Sequence, residues 1–137
     1  MAWSNRQNRK QVKAKTTLTE QELSILGYDY RRGLSSARAE KSHNRRWINE
    51  YQASIVFNVR QLERLTAQPA TDDVTAVRIS NYKESIERSH NSITRCEATI
   101  AKLDAHIAWL VQAGTKELAE REATIAKEQA AAKEVAR

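Results

Sequence analysis

The chain has few of the residues that interrupt helices or cross-link chains. Its 137 residues include three glycines, one proline and one cysteine. Compact β and α/β domains need turn residues at regular intervals, so this composition argues against both classes. A single cysteine excludes a disulfide within the chain, which fits a reducing compartment. The only phenylalanine is Phe57, so we expect any core to be aliphatic and narrow.

Long apolar runs are also absent. No stretch of about 18 apolar residues occurs, so the sequence predicts no membrane span. The N-terminus lacks the apolar segment of a secretory signal. We therefore expect the protein to be cytoplasmic or to lie within a virion or another nucleoprotein particle. The length of the chain corresponds to a single domain.

A heptad pattern runs from Ile79 to Leu110 without a glycine or proline. Positions spaced alternately three and four residues apart form one stripe, and eight of the ten are apolar or aromatic. The pattern predicts a long amphipathic helix packed against another helix. We call these stripe positions, and the matching ones on the partner helix, the seam. The ten positions are Ile79, Tyr82, Ile86, Ser89, Ile93, Cys96, Ile100, Leu103, Ile107 and Leu110.

A second long helix is predicted from about Ser35 or Ser36 to Ala67. It should end there because Pro69 disfavours helical angles in the residue before it. Its seam positions are Ile48, Tyr51, Ile55, Asn58, Leu62 and Leu65, with Lys41, Asn44, Ala37 and Leu34 upstream. Thr71 or Asp72 can cap the helix that follows. Because the connection is short, the two helices are expected to pack antiparallel. The expected neighbours are Leu62 with Ile79, Ile55 with Ile86, Ile48 with Ile93 and Leu34 with Ile107.

The N-terminal part of the sequence predicts a basic arm, then a short helix and then a bend. Residues 1–17 contain no acidic residue, and we expect this arm to be disordered in isolation. Thr19 and Glu22 fit a capping box that opens a helix of about two turns, which Gly27 ends. Residues 28–33 are interpreted as a bend whose tyrosines either stack on bases or, as we prefer, pack against the hairpin.

The C-terminal segment 114–137 is rich in Ala, Glu and Lys. Gly114 interrupts the apolar pattern, and Thr115 can cap a last helix there. The segment either extends the preceding helix through Gly114 or folds back. We favour an extension or a helical tail that becomes ordered in an assembly.

Two kinds of residue outside the seam suggest contact with partners. Trp47, Phe57 and Trp109 lie off the seam, so they either receive the short helix or form an intermolecular interface. Trp3 is a candidate anchor in the arm.

Asn58 and Ser89 are polar residues within the seam. Asn58 is either buried, where it would set the register of the two helices, or solvated at the edge of the seam.

The positive charge is concentrated in the first half, where thirteen Lys and Arg stand against six Asp and Glu. Such a half is typical of contact with nucleic acid, an anionic membrane or an acidic protein surface. The candidate contact residues are Arg6, Arg9, Lys10, Lys13, Lys15, Arg31, Arg32, Arg38, Lys41, Arg45 and Arg46.

Catalytic chemistry has no support in the sequence. His43, His90 and His106 are scattered, and none has a second ligand at metal-binding spacing on its own helix. Cys96 lies in the seam, where it is interpreted as a small apolar residue. No glycine-rich phosphate loop and no family signature occurs. We therefore expect no enzyme, cofactor, metal or small-molecule substrate.

These observations predict an all-α, elongated, coiled-coil-like antiparallel hairpin. Its divisions are the arm 1–17, the short helix with the hairpin 18–113, and the C-terminal helix or tail 114–137. The leading hypothesis is a non-enzymatic structural or assembly protein, by analogy of size and shape a subunit of a phage or another nucleoprotein complex. The alternatives are a sequence-independent nucleic-acid-binding accessory protein using residues 1–46, and an adaptor or inhibitor of an acidic protein surface.

Overall fold

The residues that the structure describes form three helices and no strand. In the computed structural model, which describes residues 15–67 and 72–136, α1 spans Glu20–Leu26, α2 spans Tyr28–Thr66 and α3 spans Asp73–Val135. Helices account for 92% of the described residues. The predicted all-α class and helical hairpin are confirmed. No helix in 15–67 or 72–136 has the length and apolarity needed to cross a membrane.

The predicted caps at Thr19, Gly27 and Asp72 are present. The Thr19 hydroxyl accepts from the Glu22 amide at 3.1 Å, and the Glu22 carboxylate accepts from the Thr19 amide at 3.0 Å, so the capping box is complete. Gly27 ends α1 with φ of +102°, a conformation that disfavours other residues. Asp72 caps α3 by accepting from the Thr75 amide at 2.9 Å.

The predicted bend at residues 28–33 is wrong. Helix α2 begins at Tyr28, directly after Gly27, so a single residue makes the whole turn between α1 and α2. Gly33 lies inside α2, where a Cβ would lie 3.3 Å from a Leu110 methyl carbon. The glycine therefore lies against Leu110, and it does not break the helix.

The described residues form two compact units, one made of 15–37 and 105–136 and the other of Arg38–Asp104. The first unit contains the one cluster of buried apolar residues that is found in the described part of the chain. Leu34 and Val111 are each only 1% exposed, and Ile107, Tyr30 and Leu118 pack against the cluster. Its remaining members are Leu18, Leu23, Leu26 and Leu110.

The extension of the helix through Gly114 that we favoured is confirmed, and the cap at Thr115 is wrong. Helix α3 continues through Gly114, and Thr115 is not a cap, because its hydroxyl donates to the Val111 carbonyl inside the helix at 2.7 Å. A Cβ on Gly114 would lie 3.0 Å from methyl carbons of Leu18 and Leu26. The glycine makes a notch that receives Leu18, just before α1, and Leu26, the last residue of α1.

The second unit contains the seam of the antiparallel hairpin. Every seam position predicted on α2 between Lys41 and Leu65, and on α3 between Ile79 and Leu103, is buried or half-buried. An ion pair joins Lys41 to Asp104, so these two residues lie at the same level of the two helices. The heptad prediction therefore identified the packed side of both helices.

The most buried side chains of this unit are polar. Asn58 and Ser89 are each 8% exposed, so the solvated alternative for Asn58 is wrong. The Asn58 amide donates to the Ser54 hydroxyl at 3.4 Å, and no buried polar side-chain atom in 15–67 or 72–136 lacks a partner. Every apolar seam residue between Arg38 and Asp104 is only half-buried.

Candidate interaction surfaces

Trp47 forms the centre of an exposed aromatic cluster on α2. The side chain is 45% exposed although its ring is held on two sides. Tyr51, one turn along, stacks on it with ring centroids 6.0 Å apart, and His43 meets it edge-on at 6.3 Å. A ring held in this way loses little further freedom when a partner covers it.

Phe57 is the second exposed ring of α2. It is 58% exposed, and the adjacent Val56 is 50% exposed, while seam residue Ile55 is half-buried. Trp47 and Phe57 are ten residues apart, close to three helical turns, so they lie on the same flank of α2 at about 15 Å along its axis. We call Trp47 and Phe57 the aromatic flank.

Trp109 is exposed in the other unit. Its side chain is 63% exposed and stacks on His106, with centroids 6.1 Å apart and planes 11° from parallel. Helix α1 packs in the same unit on Val111 and Leu110, and it leaves Trp109 open. The packing of α1 therefore does not account for this tryptophan.

The two tyrosines after Gly27 have different environments. Tyr28 is 70% exposed, whereas Tyr30 packs against the buried cluster. Burial and then hydrogen bonding to Glu117 raise the pKa of Tyr30. Hydrogen bonds from Arg121 and Tyr30 lower the pKa of the Glu117 carboxyl. The preferred packing role thus holds for Tyr30 and fails for Tyr28.

Arg121 ties α1 to the C-terminal part of α3. Its guanidinium donates to the Ile25 carbonyl at 2.6 Å and to the Glu117 carboxylate at 2.8 Å. The carbonyls in the last turn of a helix lack partners within the helix and carry partial negative charge, so a cation there is favourable. Arg121 had no role in the sequence prediction, because its partner is 96 positions away.

The predicted basic residues do not form one site. Arg6, Arg9, Lys10 and Lys13, together with Trp3, lie outside the described residues. Three of the described cations have acidic partners in the chain: Lys15 pairs with Glu22, Arg31 with Glu20 at 2.7 Å, and Lys41 with Asp104. The Lys15 contact is the main reason that the pKa of Glu22 is lowered.

The other four predicted cations are exposed: Arg32, Arg38, Arg45 and Arg46. None of them makes an ion pair with an acidic residue of 15–67 or 72–136. Arg38 and Arg45 are seven residues apart and therefore share one side of α2. The acidic residues nearby on α2, Glu40 and Glu50, also lack an ion pair with any described cation.

Sequence reasoning missed the residues that hold the exposed rings. His43 and Tyr51 are each four residues from Trp47, and His106 is three residues from Trp109. Side chains at these spacings meet on a helix surface, so the spacing was the available signal.

Within the described residues, no three His, Cys, Asp or Glu side chains are placed to bind one metal ion. Cys96 is half-buried in the seam and unpaired. No protein-family model, curated protein or solved structure matches this chain. The geometry of the exposed rings and charges is therefore the basis for any functional conclusion.

Proposed function

We propose that this chain is a non-enzymatic structural subunit that docks into a larger protein assembly through its exposed aromatic rings. The observation that carries the proposal is the exposure of Trp47, Phe57 and Trp109, which lie off the seam. Exposed aromatics of this size are enriched where proteins meet, and they dominate the binding energy there. The partner that these rings bind is either another copy of the chain or a scaffold protein.

The helical framework supports this role because it holds the rings in place. Trp47 stacks on a seam residue, Tyr51, whose own position is set by the helix pair. Trp109 stacks on His106 within a helix that runs from Asp73 to Val135. A site on rigid helices presents its anchors without first ordering a loop, which lowers the entropic cost of docking.

The test compares the full chain with a Phe57→Ser/Trp109→Ser double variant. Mass photometry over a concentration series reports assembly, and circular dichroism reports helix content. We expect helix content to stay unchanged, because both side chains are more than half exposed, while species larger than a dimer disappear. Loss of helicity in the variant would assign the rings to the internal core and contradict the proposal.

A suitable control is Val74→Ser/Val77→Ser. Both valines are exposed apolar residues near the start of α3, at 61% and 58%. The two substitutions remove exposed apolar surface without removing an aromatic ring. Assembly should persist in this variant, and its loss would mean that exposed apolar area in general, rather than the rings, holds the subunits together.

Sequence-independent nucleic-acid binding is the second candidate. It is supported by Arg32, Arg38, Arg45 and Arg46, which have no acidic partner among the described residues, and weakened by the pairing of Lys15, Arg31 and Lys41. Binding of random-sequence duplex DNA or RNA across a salt series tests it, with and without residues 1–16. Affinity that falls steeply with salt, and weakens without the arm, would favour this candidate over protein docking.

A further inference from the structure

The hairpin unit Arg38–Asp104 has two unlike sides. We letter the heptads so that Ile55 and Ile86 are at a and Asn58 and Ser89 are at d. The two d residues are the buried ones among those described in this unit, so the helices meet along d. Positions a and g lie to either side of d on a helix. In an antiparallel pair, one side therefore shows the a residues of both helices and the other shows the g residues.

The a side is apolar, and the g side is polar downstream of Trp47, which is itself at g. The described g positions from Ser54 to Thr99 are Ser54, Gln61, Arg78, Ser85, Ser92 and Thr99. The a positions downstream of Lys41 form what we call the isoleucine groove, made of Ile48, Ile55, Leu62, Ile79, Ile86, Ile93 and Ile100. All seven side chains of the groove are only half-buried.

The other unit shows what covers these heptad positions there. Helix α1 packs over residues at a and e, including Leu34 at a and Val111 at e, and both are buried to 1% exposure. A third apolar helix is thus sufficient to bury the a side. In Arg38–Asp104, by contrast, Val59 at e is half-buried and Val56 is half exposed, and they widen the apolar groove.

The edges of the groove carry complementary charge. Arg38 and Arg45 are at e on α2, and Glu97 and Asp104 are at e on α3. The Lys41–Asp104 ion pair sets the register and places Arg45 and Glu97 within about one helical turn of the same level. Arg38, Arg45 and Glu97 have no ion-pair partner among the described residues.

We propose that a second copy of this chain covers the isoleucine groove and forms a four-helix bundle. A two-fold axis parallel to the hairpin lays each α2 antiparallel on α3 of the other copy. The isoleucines of both copies then meet in layers, and Arg45 meets Glu97 of the second copy, with Arg38 near its Asp104. Opposite charges arranged in this way fix the orientation of the two copies.

The a side of the whole unit, which extends past the groove at both ends, is large enough for this occupant. About 30 residues per helix span about 45 Å, and two helices side by side are about 20 Å wide, which gives about 900 Å² per copy. A stable interface needs about 800 Å² per partner. The groove uses residues other than the aromatic flank, so the proposal is independent of the docking role of Trp47 and Phe57.

The test is a charge-reversal mixing experiment on the full chain. Arg45→Glu places two like-charged pairs in each homodimer, and Glu97→Arg does the same with the opposite sign. Sedimentation velocity should show a wild-type dimer at micromolar concentration and dissociation constants weakened about tenfold or more in each single variant. An equimolar mixture of the two variants restores both opposite-charge pairs, so a heterodimer of near wild-type affinity should form.

Arg46→Glu is the matched control, because Arg46 is next to Arg45 but lies at f and faces away from the groove. This variant should leave the dimer unchanged.

A wild-type monomer at tens of micromolar would overturn the proposal and leave the groove to a different protein. Single variants that weaken the dimer without rescue on mixing would assign the Arg45–Glu97 pair to one chain, or the two hairpins to another orientation, and would also overturn it. A dimer abolished by Phe57→Ser but unaffected by both charge reversals would place the interface on the aromatic flank instead.

Discussion

Substitution of Gly114 tests the packing of α1 most sharply. In Gly114→Ala, the added Cβ would lie 3.0 Å from a methyl carbon of Leu18, 3.0 Å from one of Leu26 and 3.4 Å from a ring carbon of Tyr30. Both leucines are buried, at 6% and 8% exposure, so they have little room to move. Overpacking of this kind costs about 1–3 kcal/mol, whereas alanine gains about 1 kcal/mol over glycine in helix propensity.

Gly33→Ala is the matched control, since it makes the same change in the same unit. There the Cβ would meet only Leu110, at 3.3 and 3.8 Å, so most of the gain in helix propensity is kept. We expect Gly33→Ala to be neutral or up to about 1 kcal/mol more stable than the wild type. Gly114→Ala should be less stable than Gly33→Ala by about 1–3 kcal/mol.

The measurement is hydrogen exchange at the Leu23 and Gly27 amides, whose acceptors lie in the α1 segment, together with urea unfolding followed by circular dichroism. Local opening of α1 appears as faster exchange at these amides. Gly114→Leu extends the series, because its larger side chain fills the whole notch and should release α1 altogether. If Gly114→Ala protected these amides as well as Gly33→Ala does, α1 would not pack against Gly114, and the reasoning would be refuted.

Three other predictions concern the caps, the seam and acid. Thr19→Ala removes one half of the capping box and should cost α1 about 1 kcal/mol, measured by exchange at the Glu22 amide; unchanged exchange would show the cap to be unimportant. Asn58→Leu replaces a buried polar group by an apolar one of similar size and should raise the melting temperature of the hairpin; a lower value would show that the contact with Ser54 matters more than its 3.4 Å length indicates. The pKa values of Glu22 and Glu117 are lowered in the folded chain from an ordinary 4.5, so their contribution to stability is fully present above pH 4.5 and is lost as the pH falls below it. Exchange at α1 amides should therefore accelerate below pH 4.5 relative to that of the α2–α3 seam, and an equal change in both would contradict this assignment.

Much of the fold could be predicted because it depends on spacing within single helices. The heptads around Ile86 and Ile55, the cap at Thr19 and the turn at Gly27 are local patterns, and the structure contains each of them. The errors at residues 28–33 and at the cap on Thr115 have one cause. A single glycine costs a helix only about 1 kcal/mol, and the tertiary packing of the residues around it outweighs that cost.

The candidate surfaces could be predicted only in part. Trp47, Phe57 and Trp109 were identified because residues off a seam of two helices have nothing to cover them, and they are exposed. The basic residues were predicted as one set, yet the structure divides them. Whether a cation is free depends on acidic residues far along the chain, as Lys41 and Asp104 show, and spacing within one helix carries no information on that.

Trp47 allows the most direct measurement of the proposed docking. A variant with Trp3→Phe and Trp109→Phe leaves one tryptophan, which is 45% exposed in the single chain. Its fluorescence emission and acrylamide quenching are recorded while the protein concentration is raised through the assembly transition. We predict that the emission shifts to the blue and that quenching falls as larger species form. Emission and quenching that stay constant while assembly proceeds would show that the aromatic flank remains in water, and would contradict docking through Trp47.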